Sequence, residues 1–194
     1  MNFIENRDDV IAECAEKRLR LHEFMRQHRL DAVLVSRHEN IAWLTAGAVD
    51  VRVGLLRETG PASLLVTKDG QSFYITTNNE AARLADEEFA SLSYRPLLRA
   101  WTSNDVEASI RVALPDGRIG TDVPLGDHKL VNLQTLRFQL TVGEIARYHW
   151  LGAQTSEAIT RVLLSIVPGM SERAMQAAVA HEAVRGERKN RAGT

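Results

Sequence analysis

The stretch LDAVLVSRHENIAWLTAG, residues 30–47, decides how the rest of the chain reads. Within it, DAVLVS (Asp31–Ser36) sets four apolar residues in a row between polar ones, the pattern of a short buried strand. HENIAWLTAG follows as a short helical turn ending near Gly47. Upstream, Val10, Ile11, Cys14, Leu21, Phe24 and Met25 fall at helical spacing between Asp8 and His28, predicting an amphipathic helix. Downstream, ASLLVTKDGQSFYITT reads as a hairpin whose Asp69-Gly70 supplies the positive-φ turn.

Thr77-Asn78-Asn79-Glu80 has the spacing of a capping box and predicts a helix to about Phe89. SLSYRPL then reads as a strand with Pro96 near its end, and a helix is expected from about Ser103 to Leu114. Pro115-Asp116-Gly117 turns into the strand RIGTDV. Strands alternating with helices argue for an α/β layered domain. After residue 140 the pattern becomes all helix. Thr141-Val142-Gly143-Glu144 forms a second capping box, and Ile145, Tyr148, Ile159, Val162, Leu163 and Ile166 continue it as an apolar stripe. Pro168-Gly169 makes a turn, and Ser171 caps one more helix. The expected domains are residues 1–140 and 141–194.

Of the 194 residues, 44% are hydrophobic and 25% charged, the usual globular mix, which argues against disorder. A net charge of −1 lacks the basic excess that a phosphate-backbone binder needs, so nucleic acid is not an expected partner. Cys14 is the only cysteine, which excludes an internal disulfide, and its helical setting reads as a small core hydrophobe. MNFIENRDDVIAEC is acidic where a secretion signal would be basic and apolar, and no stretch approaches a membrane span. The expected location is the cytoplasm.

No complete active site emerges from the residues alone. His22-Glu23, His38-Glu39 and His181-Glu182 invite a zinc-peptidase reading, but four residues after each His stand Arg26, Ala42 and Arg185. Gly126-Asp127-His128-Lys129 lacks the spacing and hydroxyl of a phosphate loop. Ser36, Ser63 and Ser165 have no paired His nearby in sequence. The acidic residues from Asp86 to Glu88 read as a solvated charge cluster, and RGERKNR as a mixed-charge terminus.

Three stretches taken together resemble the creatinase, prolidase and aminopeptidase P group of "pita-bread" metallopeptidases. In LDAVLVSRHENIAWLTAG, Asn40, Ile41, Trp43, Leu44, Thr45 and Gly47 match the N-terminal-domain signature, with Ala46 displacing the glycine by one residue. FYITTNNEAARLADEEF is similar to the strand and helix that close that domain's hairpin. LTVGEIARYHWLGAQTSEAITRVLLSIVPGMSERAMQAAV resembles the first two helices of the catalytic domain, with Glu144-Ile145 and Pro168-Gly169-Met170-Ser171-Glu172 in place.

The resemblance implies a three-layer N-terminal domain with a mixed sheet and a ribonuclease H-like motif, followed by two helices of a truncated pita-bread domain. In the family, two divalent metal ions (Mn, Co or Zn) are held by two Asp, one His and two Glu beyond the Pro-Gly-Met-Ser-Glu turn. That ligand set maps onto nothing here, so no catalytic or metal-binding residue is assigned and the chain is expected to be inactive alone. The substrate of a full-length relative is a proline-containing peptide. In the family, loops of this domain reach a neighbouring subunit's active site, which makes Trp43 and Arg52 the substrate-pocket candidates. Arg52 could pair with a substrate carboxylate through its two-pronged guanidinium. A core tryptophan and a solvated loop arginine are the competing readings. Six apolar side chains left half exposed on residues 141–185 would forgo about 5–10 kcal/mol, so a homodimer or a partner subunit is expected. A stand-alone binding or subunit-completing module is the alternative function.

Overall fold

The computed structural model describes residues 6–53, 58–103 and 105–191, with side chains through Arg185. Two compact units result, one formed by residues 7–139 and the other by the described residues from 140 onward.

The first unit is organised by a six-stranded mixed sheet. Helix α1 (Arg7–His28) leads into β1 (Ala32–Arg37), and α2 (His38–Leu44) follows directly. A hairpin of β2 (Thr59–Thr67) and β3 (Ser72–Thr77) turns at Gly70, whose φ of 88° is free of Cβ cost only for glycine. A short α3 (Ala81–Arg83) widens into a π-turn over Leu84–Glu88, then β4 (Arg95–Arg99), α4 (Val106–Ala113), β5 (Ile119–Thr121) and β6 (Lys129–Leu130) complete the unit. A 3-10 turn, Gln134–Arg137, follows β6. The strand order is β4-β3-β2-β1-β5-β6, with β1 antiparallel to β2 and parallel to β5.

The unbroken apolar run of β1 is explained by burial on both faces of the sheet. Val33 and Val35 pack with Leu21, Phe24 and Met25 of α1 and with Ile41 and Leu44 of α2. Ala32 and Leu34 point the other way, into a second core with Phe73, Ile75 and Ile110. The sheet is thus the middle of three layers, the α/β fold expected from the sequence.

Several local expectations need correction. On α1, Ile11 is solvent-exposed, while Glu13 and Lys17 are buried as an i,i+4 ion pair. Burial of this pair is tolerable because each charge faces its opposite. The Thr77–Glu80 capping box does not form. Thr77 stays in the sheet opposite Arg99, and the helix begins after Glu80 with no side-chain cap. The strand expected at residues 91–97 runs instead from Arg95 to Arg99. The helix expected from Ser103 starts at Val106, where the Asp105 side chain accepts from Ala108 N. The acidic cluster is not wholly solvated, since Glu88 Oε2 accepts from Asp50 N at 2.7 Å.

In the second unit, α5 (Val142–Ser165) begins at the capping box, with Glu144 N donating to Thr141 Oγ1 at 3.1 Å and Thr141 N to Glu144 Oε2 at 2.8 Å. Gly169, at φ 90°, turns the chain into α6 (Glu172–Arg191). Arg161 Nε joins the two helices by donating to Glu182 Oε2 at 2.7 Å. Of the α5 stripe, Val162 is buried, whereas Tyr148 is 63% and Leu163 61% exposed. No described helix is long and apolar enough to cross a membrane.

Candidate functional site

The end of β1 is held by a carboxylate from a distant part of the chain. The β1–β2 register slips between Val35 and Arg37, an irregularity that leaves Ser36 out of the pairing before Arg37 meets Thr59. Asp122, just past β5 and only 4% exposed, accepts from both amides: Ser36 N donates to Oδ1 at 2.8 Å and Arg37 N to Oδ2 at 3.0 Å. Asn40 Nδ2, one turn into α2, also donates to Oδ2 at 2.8 Å. Three donors on two oxygens satisfy a carboxylate that burial would otherwise penalise heavily. Ser36 Oγ and Ser63 Oγ lie 2.8 Å apart, so this serine is tied to its neighbouring strand.

Beyond α2 the chain turns left-handed twice, at Ala46 (φ 53°) and Gly47 (φ 80°), and runs along the sheet through Val49 and Val51. At Ala46 a residue with a Cβ occupies a conformation that costs an L-residue about 1–2 kcal/mol. The loop crosses β2 at Gly60, where an added Cβ would lie 2.0 Å from Val51 O and 3.0 Å from His38 Cε1.

This crossing frames a cavity of about 460 Å³ lined by His38, Glu39, Asp50, Arg52 and Glu58 among others. Arg52 is half exposed and its fork is engaged: Nε donates to Asp50 Oδ1 at 2.8 Å and Nη2 to Oδ2 at 2.7 Å. These bonds hold the Asp50 carboxyl down at about 2, and the same pairing raises the Arg52 guanidinium. A ligand carboxylate reaching Arg52 would therefore compete with Asp50. Both ring nitrogens of His38 are shielded from solvent and lack hydrogen-bond partners.

Trp43 lies elsewhere. It is 5% exposed in the core beside α1, and its ring centroid is 5.8 Å from Lys17 Nζ. Trp43 is not in the lining of the Arg52 cavity. The sequence reading does not single out Asp50 or Asp122, and takes His38 only as half of a His-Glu pair that fails the zinc spacing. Asp50 was findable two residues before Arg52, whereas Asp122 acts across 82 to 86 positions and left no local signal.

Among the described residues no three His, Cys, Asp or Glu side chains gather as a metal site. The metal ions implied by the resemblance thus find no fitting ligand set among those residues.

The fold has solved counterparts. A Xaa-Pro dipeptidase from Bacillus anthracis superposes with a TM-score of 0.67 at 16% identity, covering 89% of this chain and 49% of that one. A prolidase from Pyrococcus horikoshii OT3 gives a TM-score of 0.64 at 19% identity, covering 88% of this chain and 49% of that one. A dipeptidase from Mycobacterium ulcerans gives 0.66 at 18% identity, with 90% and 50% covered. The chain therefore spans about half the length of these structures. No curated protein sequence matches it. The sequence model for the Creatinase/Prolidase N-terminal domain matches residues 17–128, which encompass β1 through β5, the hairpin, the Arg52 loop and Asp122. With more than half of its residues so matched, the chain belongs to the Creatinase/Prolidase N-terminal domain family.

Proposed function

We propose that this chain is the N-terminal portion of an aminopeptidase-P-like, Xaa-Pro-cleaving metallopeptidase, and that its own part is to close a substrate pocket. The family match over residues 17–128, with the Arg52 loop inside it, carries this reading. The names of the similar structures, a Xaa-Pro dipeptidase and a prolidase, support the substrate class. In a full-length relative, two divalent ions would activate the attacking water. The residues of this chain would act on binding, with the Arg52 guanidinium meeting a peptide carboxylate as Asp50 yields its place. The reading places the protein in the cytoplasm.

The test pairs this chain with a full-length homologue in a mixed oligomer. Arg52→Ala is expected to raise KM several-fold with little change in kcat, and unchanged kinetics would remove the role. Trp43→Phe, which keeps the core filled, is expected to act weakly. By itself, with manganese or cobalt, the chain is expected to leave a Xaa-Pro dipeptide intact, and turnover surviving rigorous repurification would overturn the reading.

A second reading, a non-catalytic protein-binding or subunit-completing module, draws support from the exposed α5 stripe. Tyr148, Ile159 and Leu163 stand open to solvent along it. Such a stripe favours pairing, most simply with a second copy. Sedimentation is expected to show a dimer, and a monomer at tens of micromolar would count against self-pairing.

A further inference from the structure

We propose that Glu88 is the positioning residue of the Arg52 site: it grips the loop backbone so that Arg52 stays in place while Asp50 gives way to a ligand carboxylate. The inference rests on the reading that Arg52 receives a peptide carboxylate, and names the residue that keeps the guanidinium ready for one. Glu88 does not line the Arg52 cavity. It acts through Asp50, whose amide N donates to Glu88 Oε2 at 2.7 Å.

The geometry gives the two halves of Asp50 separate tasks. Its side chain serves Arg52: Oδ1 accepts from Arg52 N at 3.0 Å and from Nε at 2.8 Å, and Oδ2 accepts from Nη2 at 2.7 Å. Its main chain serves Glu88. A ligand carboxylate that takes over the Arg52 fork must turn the Asp50 side chain aside, and the bonds from the fork to Asp50 are then lost. The bond to Glu88 is untouched by that rotation, because the backbone makes it. Val51 supplies a second fixed point, buried and with its carbonyl oxygen against Gly60. The backbone that carries Arg52 is thereby held on two sides. Arg52 meets its ligand without the loop having to be ordered first, which keeps the entropic cost of binding low.

Glu88 is itself firmly placed. Phe89, the next residue, is buried, stacks on Tyr74 with ring centroids 4.2 Å apart, and donates its amide to Leu84 O at 2.9 Å. That five-residue return is the extra residue of the π-turn, and turns of this kind recur at functional positions. The Glu88 side chain is 17% exposed, and its other oxygen, Oε1, lies 3.8 Å from Arg83 Nη1. A mostly buried carboxylate needs donors, and its charge makes the bond to Asp50 N stronger than a neutral acceptor would. Glu87, one residue earlier, is exposed and pairs with Arg83 rather than with the loop.

The hold is read in the whole chain from hydrogen exchange of Arg52 Nε–H, followed by 15N-resolved NMR under mildly acidic conditions. Glu88→Ala is expected to speed this exchange about tenfold or more, and Glu88→Asp, a methylene too short for Asp50 N, to speed it as well. Glu88→Gln keeps an acceptor at full reach and is expected to stay within about twofold of wild type, which separates the hydrogen bond from the charge. Glu87→Ala is expected to change nothing. In the mixed oligomer, Glu88→Ala is expected to raise KM in the direction of Arg52→Ala with kcat kept, and Glu88→Gln to restore it. Wild-type exchange in Glu88→Ala and Glu88→Asp overturns the proposal, as does equal loosening by Glu87→Ala. So does an unchanged KM in Glu88→Ala beside a raised one in Arg52→Ala. An unchanged KM in Arg52→Ala removes the pocket reading instead, and the exchange rates then still decide whether Glu88 holds the loop.

Discussion

Replacing Asp122 by alanine probes the junction that ties the end of β1 to α2. The change strips the acceptor from Ser36 N, Arg37 N and Asn40 Nδ2, bonds of 2.8, 3.0 and 2.8 Å. Ser36 and Asn40 are buried, so each abandoned donor costs about 1–3 kcal/mol, and the half-buried Arg37 amide about 1. The sum, about 3–7 kcal/mol, is lowered by water entering the space of the missing carboxylate, which leaves roughly 3–4. Asp122→Asn retains one acceptor but turns an amide toward two donors, so about half of that loss is expected. With a urea m-value of about 1–3 kcal/mol/M, Asp122→Ala moves the midpoint down by about 1–4 M. Fluorescence of the buried Trp43 follows this unit through the transition, and Asp116→Ala at an exposed position serves as the control. A loss below about 1 kcal/mol for Asp122→Ala would refute the reasoning, because the bulged amides would then need no carboxylate.

Three further outcomes follow from the Arg52 loop. Gly60→Ala sets a Cβ 2.0 Å from a backbone oxygen that no side-chain rotation can move, so a loss of about 2–4 kcal/mol is expected in thermal unfolding; a wild-type Tm would contradict the loop's path. Ala46→Gly relieves about 1–2 kcal/mol of left-handed strain, yet gives up about 0.8 of methyl burial and 0.4–1 of chain entropy, so near-neutrality is expected, whereas Ala46→Val costs about 2 or more; a stabilising valine would show that the turn is not left-handed. Asp50 is depressed from an ordinary 3.8 to about 2, so its contribution is complete above about pH 4 and fades as pH falls through about 2. An NMR titration that finds this carboxyl near 4 would dissolve the Asp50–Arg52 pair in solution.

How legible the molecule was depends on the range of the interaction concerned. The β1 run, the Asp69-Gly70 turn and the Thr141–Glu144 box are decided within a few residues, and their elements stand where the sequence placed them. The Thr77–Glu80 box had the same local spacing and failed, because pairing of Thr77 with Arg99 holds that residue in the sheet. The buried Glu13–Lys17 pair of α1 lies outside the apolar spacing by which that helix is read. Only the fold shows that both charges are buried and that Lys17 Nζ lies 5.8 Å from the centroid of the Trp43 ring. The site divides likewise. Arg52 was visible, its partner Asp50 was two residues away, and the Asp122 clasp needed β5 beside β1 before it existed at all.

Both margins of the sheet discourage growth. At one side β4 places Pro96 where no ladder amide is demanded, flanked by Arg95 and Arg99, and Arg95 lies 4.5 Å over the Phe73 ring. At the other, β6 is two residues long and offers almost nothing to pair with. Proline, cations and brevity are the devices by which sheets resist edge-to-edge polymerisation. The unit can therefore be crowded at high concentration, or passed between partners, without seeding a cross-strand aggregate. Any higher assembly it joins must be built from helices and loops, leaving its strands closed to strangers.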